Sequence, residues 1–387
     1  MDGAGRLYFD NAATSFPKPA TVYEAMDSYA RTIGGSAGRS AHAQAIAGSR
    51  LLFSLREELA ELMGANADLV VLTKNATEAI NLVLHSLVEE KGRVAHSPLE
   101  HNAVMRPLQT LAAARGVKLH EIPGDEHGRV TAETLDAFLN KRSVDLVVLN
   151  HASNVHGLAL DLTVLGEICE YYETPLIVDG AQSGGVLPIN MEAMRIAALC
   201  LTGHKGLFGP TGTGALLLDD GMADRIDPLL HGGTGSVSEQ ETMPDFLPDR
   251  LEAGTHNTIG AAGLLAGIRY LIDRSVEAIG EHEQDLRERM IARLREIDGV
   301  EILGDVAGPA TATVSILTPL APSDLAYLLN EQYGISVRAG LHCAPRAHQT
   351  LGTMPAGAVR LAPGALTLPD AIDEVADALA EIMATVK

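Results

Sequence analysis

Cysteine is scarce in this chain: Cys169, Cys200 and Cys343 are the only three in 387 residues. They are too few and too scattered for a disulfide framework and lack the paired spacing of a structural zinc site, so a reducing compartment fits best. Basic residues are also short, 29 against 50 acidic ones, for a formal net charge of −21. A field of that sign disfavours nucleic-acid phosphates and anionic membranes as partners. No run of about 18 apolar residues occurs. Nor does any N-terminal stretch join a basic start, an apolar core and a small-residue cleavage site. The expectation is a soluble cytoplasmic protein that binds neither nucleic acid nor membrane. Repeats, low-complexity segments and charge runs are missing as well.

What is present is a 46% hydrophobic composition, enough to bury a large core, over a length that favours two or three domains. From residue 68 onward, apolar runs such as "DLVVL", "VDLVVLNHAS", "PLIVDGAQ" and "IAALCLTGHK" alternate with segments of helical spacing. That alternation predicts a mostly parallel sheet covered by helices. In "TEAINLVLHSL", Ile80, Val83, Leu84 and Leu87 share a helical face, and Thr77 stands where an N-cap belongs. Past residue 260 a long helical pattern, broken near Gly280, leads to strands "TATVSIL", "GISVRAG" and "AVRLAPG" and a last helix "DAIDEVADALAEIMATV". This reads as a smaller α+β domain, and the irregular stretch 231–258 is long enough to be functional or interface-forming.

The stretch "LTGHKGLFGPTGTGALLL" sets Lys205 just beyond an apolar strand. A P-loop would need Gly before the lysine and Ser or Thr after it, whereas His204 and Gly206 stand there. A surface lysine in a hairpin turn is one remaining reading; a Schiff-base lysine, an amine in a partly apolar site that loses its proton easily, is the other. The second gains weight from "LIVDGAQ", where a strand ends directly in Asp179. In open α/β sheets ligands sit at the carboxyl ends of the strands, and a pyridoxal phosphate site needs a carboxylate there to keep the pyridine ring protonated. The junction "KNATEAINLV" offers helix N-terminal amides and the Thr77 hydroxyl to a phosphate. Taken singly each of these features is more often structural; in this order they form a joint signal.

These stretches, together with "YFDNAATSFPKP", "EHNAV", "NHASNVHG", "EAGTHNT", "RAGLHCAP" and "VRLAPG", resemble the class V aminotransferase-like, fold-type I pyridoxal phosphate enzymes, and within them the cysteine desulfurases and selenocysteine lyases. The resemblance covers nearly the whole chain. It implies a large cofactor-binding domain over 15–263 and a small domain made of 1–14 and 264–387. Lys205 would carry pyridoxal 5'-phosphate as a Schiff base, with Asp179 and Gln182 on the ring nitrogen and hydroxyl. His101 would stack on the ring and assist proton transfers. Ala76, Thr77, Thr202 and His204 would bind the phosphate side, with Thr255 reaching in from the second subunit of a homodimer. Asn154 and Arg360 would bind the substrate carboxylate, and Cys343 would accept sulfur. No metal is implied.

For Cys343, the metal alternative would enlist His342 and His348 but lacks a further Cys or carboxylate at ligand spacing, and Arg346 would repel a cation. The filler alternative conflicts with the polar neighbours Arg338, His342, Arg346 and His348. As a nucleophile the thiol gains from them: with a pKa near 8.5 it is a few per cent thiolate at pH 7, and lowering the pKa by about one raises that to roughly a quarter. Cys169 and Cys200 lie in apolar patterns and read as inert core thiols. The implied activity is removal of sulfur from L-cysteine, giving L-alanine and a persulfide on Cys343 for an acceptor protein. That acceptor could be an iron–sulfur scaffold, a sulfur shuttle, a tRNA-thiolation protein or a selenium pathway. Selenocysteine lyase activity, a thiol-independent aminotransferase or lyase, and a cofactor-binding protein without turnover are the alternatives. Two departures stand out: "LAPGALTLPD" follows Arg360 where an aromatic-Asn stretch is usual, and His256 stands where proline is common.

Overall fold

A computed structural model describes residues 6–38 and 41–386. Residues 1–5 and 387, at the ends of the expected small domain, lie outside the described residues. In chain order, β1 (Leu7–Tyr8) is followed by α1 (Ala20–Ser28), α2 (Ala43–Met63), β2 (Val70–Thr73), α3 (Ala76–Leu87), β3 (Arg93–His96), α4 (Asn102–Arg115) and β4 (Lys118–Glu121). Next come α5 (Ala132–Leu139), β5 (Leu146–Asn150), α6 (Leu162–Tyr171), β6 (Leu176–Asp179), β7 (Ala198–Thr202) and β8 (Gly214–Leu218). After a long irregular stretch come α7 (Thr258–Arg274), α8 (Val276–Leu294), β9 (Glu301–Leu303), β10 (Val314–Leu317) and α9 (Pro322–Tyr333). The last elements are β11 (Ile335–Ser336), β12 (Arg338–Gly340), α10 (Pro345–Thr350), β13 (Ala358–Leu361) and α11 (Pro369–Thr385).

Seven strands form the large sheet in the order β2-β8-β7-β6-β5-β3-β4. Strands β7, β6, β5, β3 and β4 run parallel, and β8 is antiparallel to both its neighbours. Helices cover both faces, so the central strands can be apolar at every position. Their side chains alternate between two cores. Val147, Leu149, Val178, Leu199 and Leu201 join Leu59, Phe138, Leu165 and Ile268 from α2, α5, α6 and α7. On the other face Leu146, Val148, Ile177, Ala198 and Cys200 join Val83, Leu87, Val104 and Leu108 from α3 and α4. This is the fold-type I α/β architecture that the sequence implies.

A second sheet, β12-β13-β10-β9, is antiparallel and packs on α8, α9 and α11 around Leu286, Val314, Leu325, Leu361 and Leu379. The N-terminal segment joins this unit: β1 pairs with β11, and Phe9 lies in the same core.

Two local expectations are corrected. The N-cap of α3 is Asn75, whose side chain accepts from Glu78 N, so Thr77 falls inside the first turn. Asn caps at least as well as Thr, and here it adopts the extended backbone that a cap requires. The long helical pattern breaks at Ser275, with φ 64°, and Gly280 continues inside α8. Gly280 is demanded by packing, because a Cβ there would stand 2.7 Å from the Val186 carbonyl oxygen.

Candidate active site

The parallel strands point their carboxyl ends at one cavity of about 350 Å³, where the small sheet's loop closes over the large sheet. Asp179 and Thr202 are the last residues of β6 and β7. Lys205 follows three residues after β7, and Ala76 and Thr77 open α3. His101 caps α4, accepting from Ala103 N at 3.0 Å, and still lines the cavity, so the helix-start role and the site role coincide in one residue. Gln182, His204, Asn154, Arg360 and Cys343 complete the wall. Of the residues singled out in the sequence, only Thr255 lies elsewhere. It is exposed in a separate cleft with His256 and the buried Glu252, which ion-pairs with Arg56 at 2.5 Å and has His256 Nε2 at 3.3 Å.

Electrostatics separate the groups. Loss of solvent pulls the Lys205 ammonium down from 10.5 to about 8, with Asp179 opposing and Arg360 and Arg338 adding to the effect. Burial, then Lys205 and Lys18, lowers His204 to about 4. His101 is lowered too, by burial first and with Asp179 opposing. These histidines are therefore neutral around pH 7. Behind the site Glu100 is fully buried. Its Oε1 accepts from Ser97 Oγ at 2.6 Å and Asn150 N at 2.9 Å while Oε2 has no partner, and burial raises its acid to about 8.

Among the buried polar atoms of the wall residues that have no hydrogen-bond partner among the described residues are Thr202 Oγ1 and His204 Nδ1, close together in sequence at the end of β7. A buried polar group left unpaired is costly, so this pair fits a polar ligand group such as a phosphate. With a carboxylate at one strand end and an easily deprotonated amine at the next loop, the donor set fits pyridoxal 5'-phosphate. Gln182 donates one amide hydrogen to the Ala12 carbonyl at 3.0 Å.

At the other end of the cavity, Arg360 is 2% exposed. Its Nη1 donates to the Asn154 carbonyl at 3.0 Å and its Nη2 to Asp10 Oδ1 at 2.8 Å, while Nε is buried without a partner. Asp10 also takes Arg338 bidentately, at 2.8 to 3.1 Å. The fork that the sequence offers to a substrate carboxylate is thus partly filled by an internal one. Asp10 and the pairing role of Arg338 escape sequence reasoning, although Asp10 lies within "YFDNAATSFPKP"; the only signal is an acidic residue inside that stretch.

Cys343 is exposed at the cavity rim, in a loop where His342 and Cys343 both have left-handed backbones, φ 50° and 56°. The positive flank that the sequence gives this thiol is balanced in the fold: Arg346 pairs with Glu121 and Arg338 with Asp10. Arg338 remains close enough to interact with Cys343. His348 is fully buried with its Nδ1 on Thr353 Oγ1 at 2.7 Å. Among the described residues no group of three or more His, Cys, Asp or Glu converges on one point, and no helix is long and apolar enough to cross a membrane. Cys169 and Cys200 are core thiols, the first pushed up to about 12 by burial and the second raised likewise.

Known proteins place this geometry. Residues 7–373 match the family model for class V aminotransferases. A probable cysteine desulfurase of Pyrococcus abyssi is 34% identical over 349 residues, 87% of this chain and 85% of that protein. A probable cysteine desulfurase of Methanothermobacter thermautotrophicus is 33% identical over 90% of this chain and 89% of its own length. The apo structure of a cysteine desulfurase from Thermococcus onnurineus superimposes with a TM-score of 0.93 at 31% identity, covering 98% of this chain and 95% of that one. A cysteine desulfurase of Escherichia coli, in an S-sulfonic acid form, gives 0.87 at 26% identity over 97% and 94%.

Proposed function

The chain belongs to the class V aminotransferases, among the cysteine desulfurases, and from that premise we propose that it is a pyridoxal 5'-phosphate enzyme that moves the sulfur of L-cysteine onto Cys343. The observation that carries this reading is that Lys205, Asp179 and Cys343 line one cavity although they are far apart in sequence.

Asp179 would hold the cofactor's ring nitrogen, Thr202, His204 and the amides at Ala76 and Thr77 its phosphate, and Lys205 its aldehyde carbon. Gln182 would reach the ring hydroxyl, and His101 would stack on the ring face. When bound, the cofactor supplies a sink for the electron pair released at the substrate's α-carbon. The chain's own groups do the rest. Lys205, with its pKa near 8, takes the α-proton as a general base. Neutral His101 stands by to pass protons at the cavity wall. Arg360 and Asn154 mark the carboxylate end of the substrate, where a guanidinium suits a planar anion. The Cys343 thiolate then forms a bond to the substrate sulfur as the carbon–sulfur bond breaks. The electron pair stays with the carbon fragment, which takes up protons and leaves as alanine, so one thiol and one cysteine become one persulfide and one alanine with no outside oxidant.

The exposure of Cys343 suits delivery of that sulfur to an acceptor protein. Thr255, exposed and away from its own chain's cavity, suits a homodimer in which it serves the neighbouring phosphate site. Replacing Cys343 with Ala tests the reading: alanine release from L-cysteine by the cofactor-loaded protein is expected to drop to background, whereas undiminished release would establish the thiol-independent alternative.

A further inference from the structure

The side-chain amide of Asn154 is already in use. Its Nδ2 donates to the His342 carbonyl at 2.7 Å, between residues that are 6% and 7% exposed. That carbonyl belongs to the pair His342–Cys343, consecutive non-glycine residues in the left-handed region. Such backbones persist only where the surroundings fix them. Three hydrogen bonds do so: the one from Asn154, one from Asn102 N to the Cys343 carbonyl at 2.8 Å, and one from Ala344 N to the Leu341 carbonyl at 2.8 Å. The first two come from the large domain, so they clamp the loop across the cavity mouth. The Asn154 main-chain carbonyl meanwhile accepts from Arg360 Nη1, which links the anion end of the cavity to the thiol loop through a single residue.

We propose that Asn154 is a positioning residue for Cys343: its carboxamide latches the thiol loop through the His342 carbonyl. Loss of that donor would strand a buried carbonyl and free a strained backbone, while the second Nδ2 hydrogen stays available to a substrate carboxylate. That Cys343 is the sulfur acceptor rests on the function proposed above; the latch itself rests on the geometry alone.

Hydrogen exchange on the cofactor-loaded, substrate-free protein tests it. In Asn154→Ala, and in Asn154→Asp, which keeps the volume but removes the donor, the amides of Ala344 and Asn102 are expected to exchange roughly tenfold faster, the scale of one lost buried hydrogen bond. Amides of β6 and β7 serve as the reference for an intact fold and stay unchanged. With L-cysteine, kcat for alanine release falls by a larger factor than KM rises. Unchanged exchange at both amides, with a raised KM and an intact kcat, would make Asn154 a plain substrate ligand and overturn the latch. If the wild type made no alanine, the desulfurase reading would fall, while the exchange result would still decide the latch.

Discussion

At the scale of single residues, one carboxylate governs the anion end of the cavity. Asp10 is the counter-ion of both Arg360 and Arg338, and its removal leaves two guanidiniums facing the space in which a substrate carboxylate would sit. Arg360 keeps its contact with the Asn154 carbonyl and its packing, so it should hold its place. Asp10→Asn is therefore expected to bind the product L-alanine more tightly, by roughly threefold to tenfold, in calorimetric titration, because an internal competitor for charge-assisted hydrogen bonds is gone. Weaker binding would show that Asp10 serves to orient Arg360 instead. The lysine, the aspartate and the thiol were legible because each has a residue type and a place in the pattern that chemistry demands. Asp10 was not: an acidic residue near the start of a chain with 50 of them carries no mark until the fold brings it 350 residues forward onto Arg360.

Among the elements, α8 is the one whose sequence hides most. Glu283 and Arg287, one turn apart, are 7% and 2% exposed, although charged residues on a helix ordinarily face water. Arg287 is held by the carbonyls of His156 (2.9 Å), Gly304 and Thr313, and Glu283 Oε2 accepts from Ala312 N at 3.3 Å. Burial raises the Glu283 acid from 4.5 to about 7, against the hydrogen bonds that it accepts. A carboxyl whose pKa rises on folding contributes stability that is fully present below about pH 4.5 and is lost as pH climbs through about 7. Glu283→Gln, neutral at every pH, should therefore flatten the loss of stability between pH 5 and pH 8, an effect on the order of 3 kcal/mol in denaturant titrations. An unchanged pH slope in the variant would show that Glu283 does not set it. The strands themselves were readable, because apolar runs buried on both faces leave little else they could be. The helix ends are less legible. Asn75 and Thr77 are both capping types, and Gly280 looks like a break until the Val186 carbonyl is seen against it.

In the whole molecule, the cavity exists because two sheets meet. The large sheet supplies Asp179, Thr202 and Lys205 at its strand ends, and the small unit brings Arg360 on β13 and Cys343 just beyond β12. We propose the division 15–263 against 1–14 with 264–387 for these two units. The helix α7 crosses it, since Leu264, Leu265, Ile268 and Leu271 sit in the large sheet's core. The alternation of strands and helices made the large unit legible, whereas the convergence of residues 179, 205, 343 and 360 is a long-range fact that spacing does not encode. The claim that rests on that convergence is sulfur transfer to Cys343. Mass measurement of the cofactor-loaded protein after brief exposure to L-cysteine tests it most directly. The expected result is a gain of one sulfur, about 32 Da, on the peptide containing Cys343, lost on thiol reduction and matched by an equal amount of alanine. Alanine formed with no added mass on that peptide, or with the mass on Cys169 or Cys200, would contradict it.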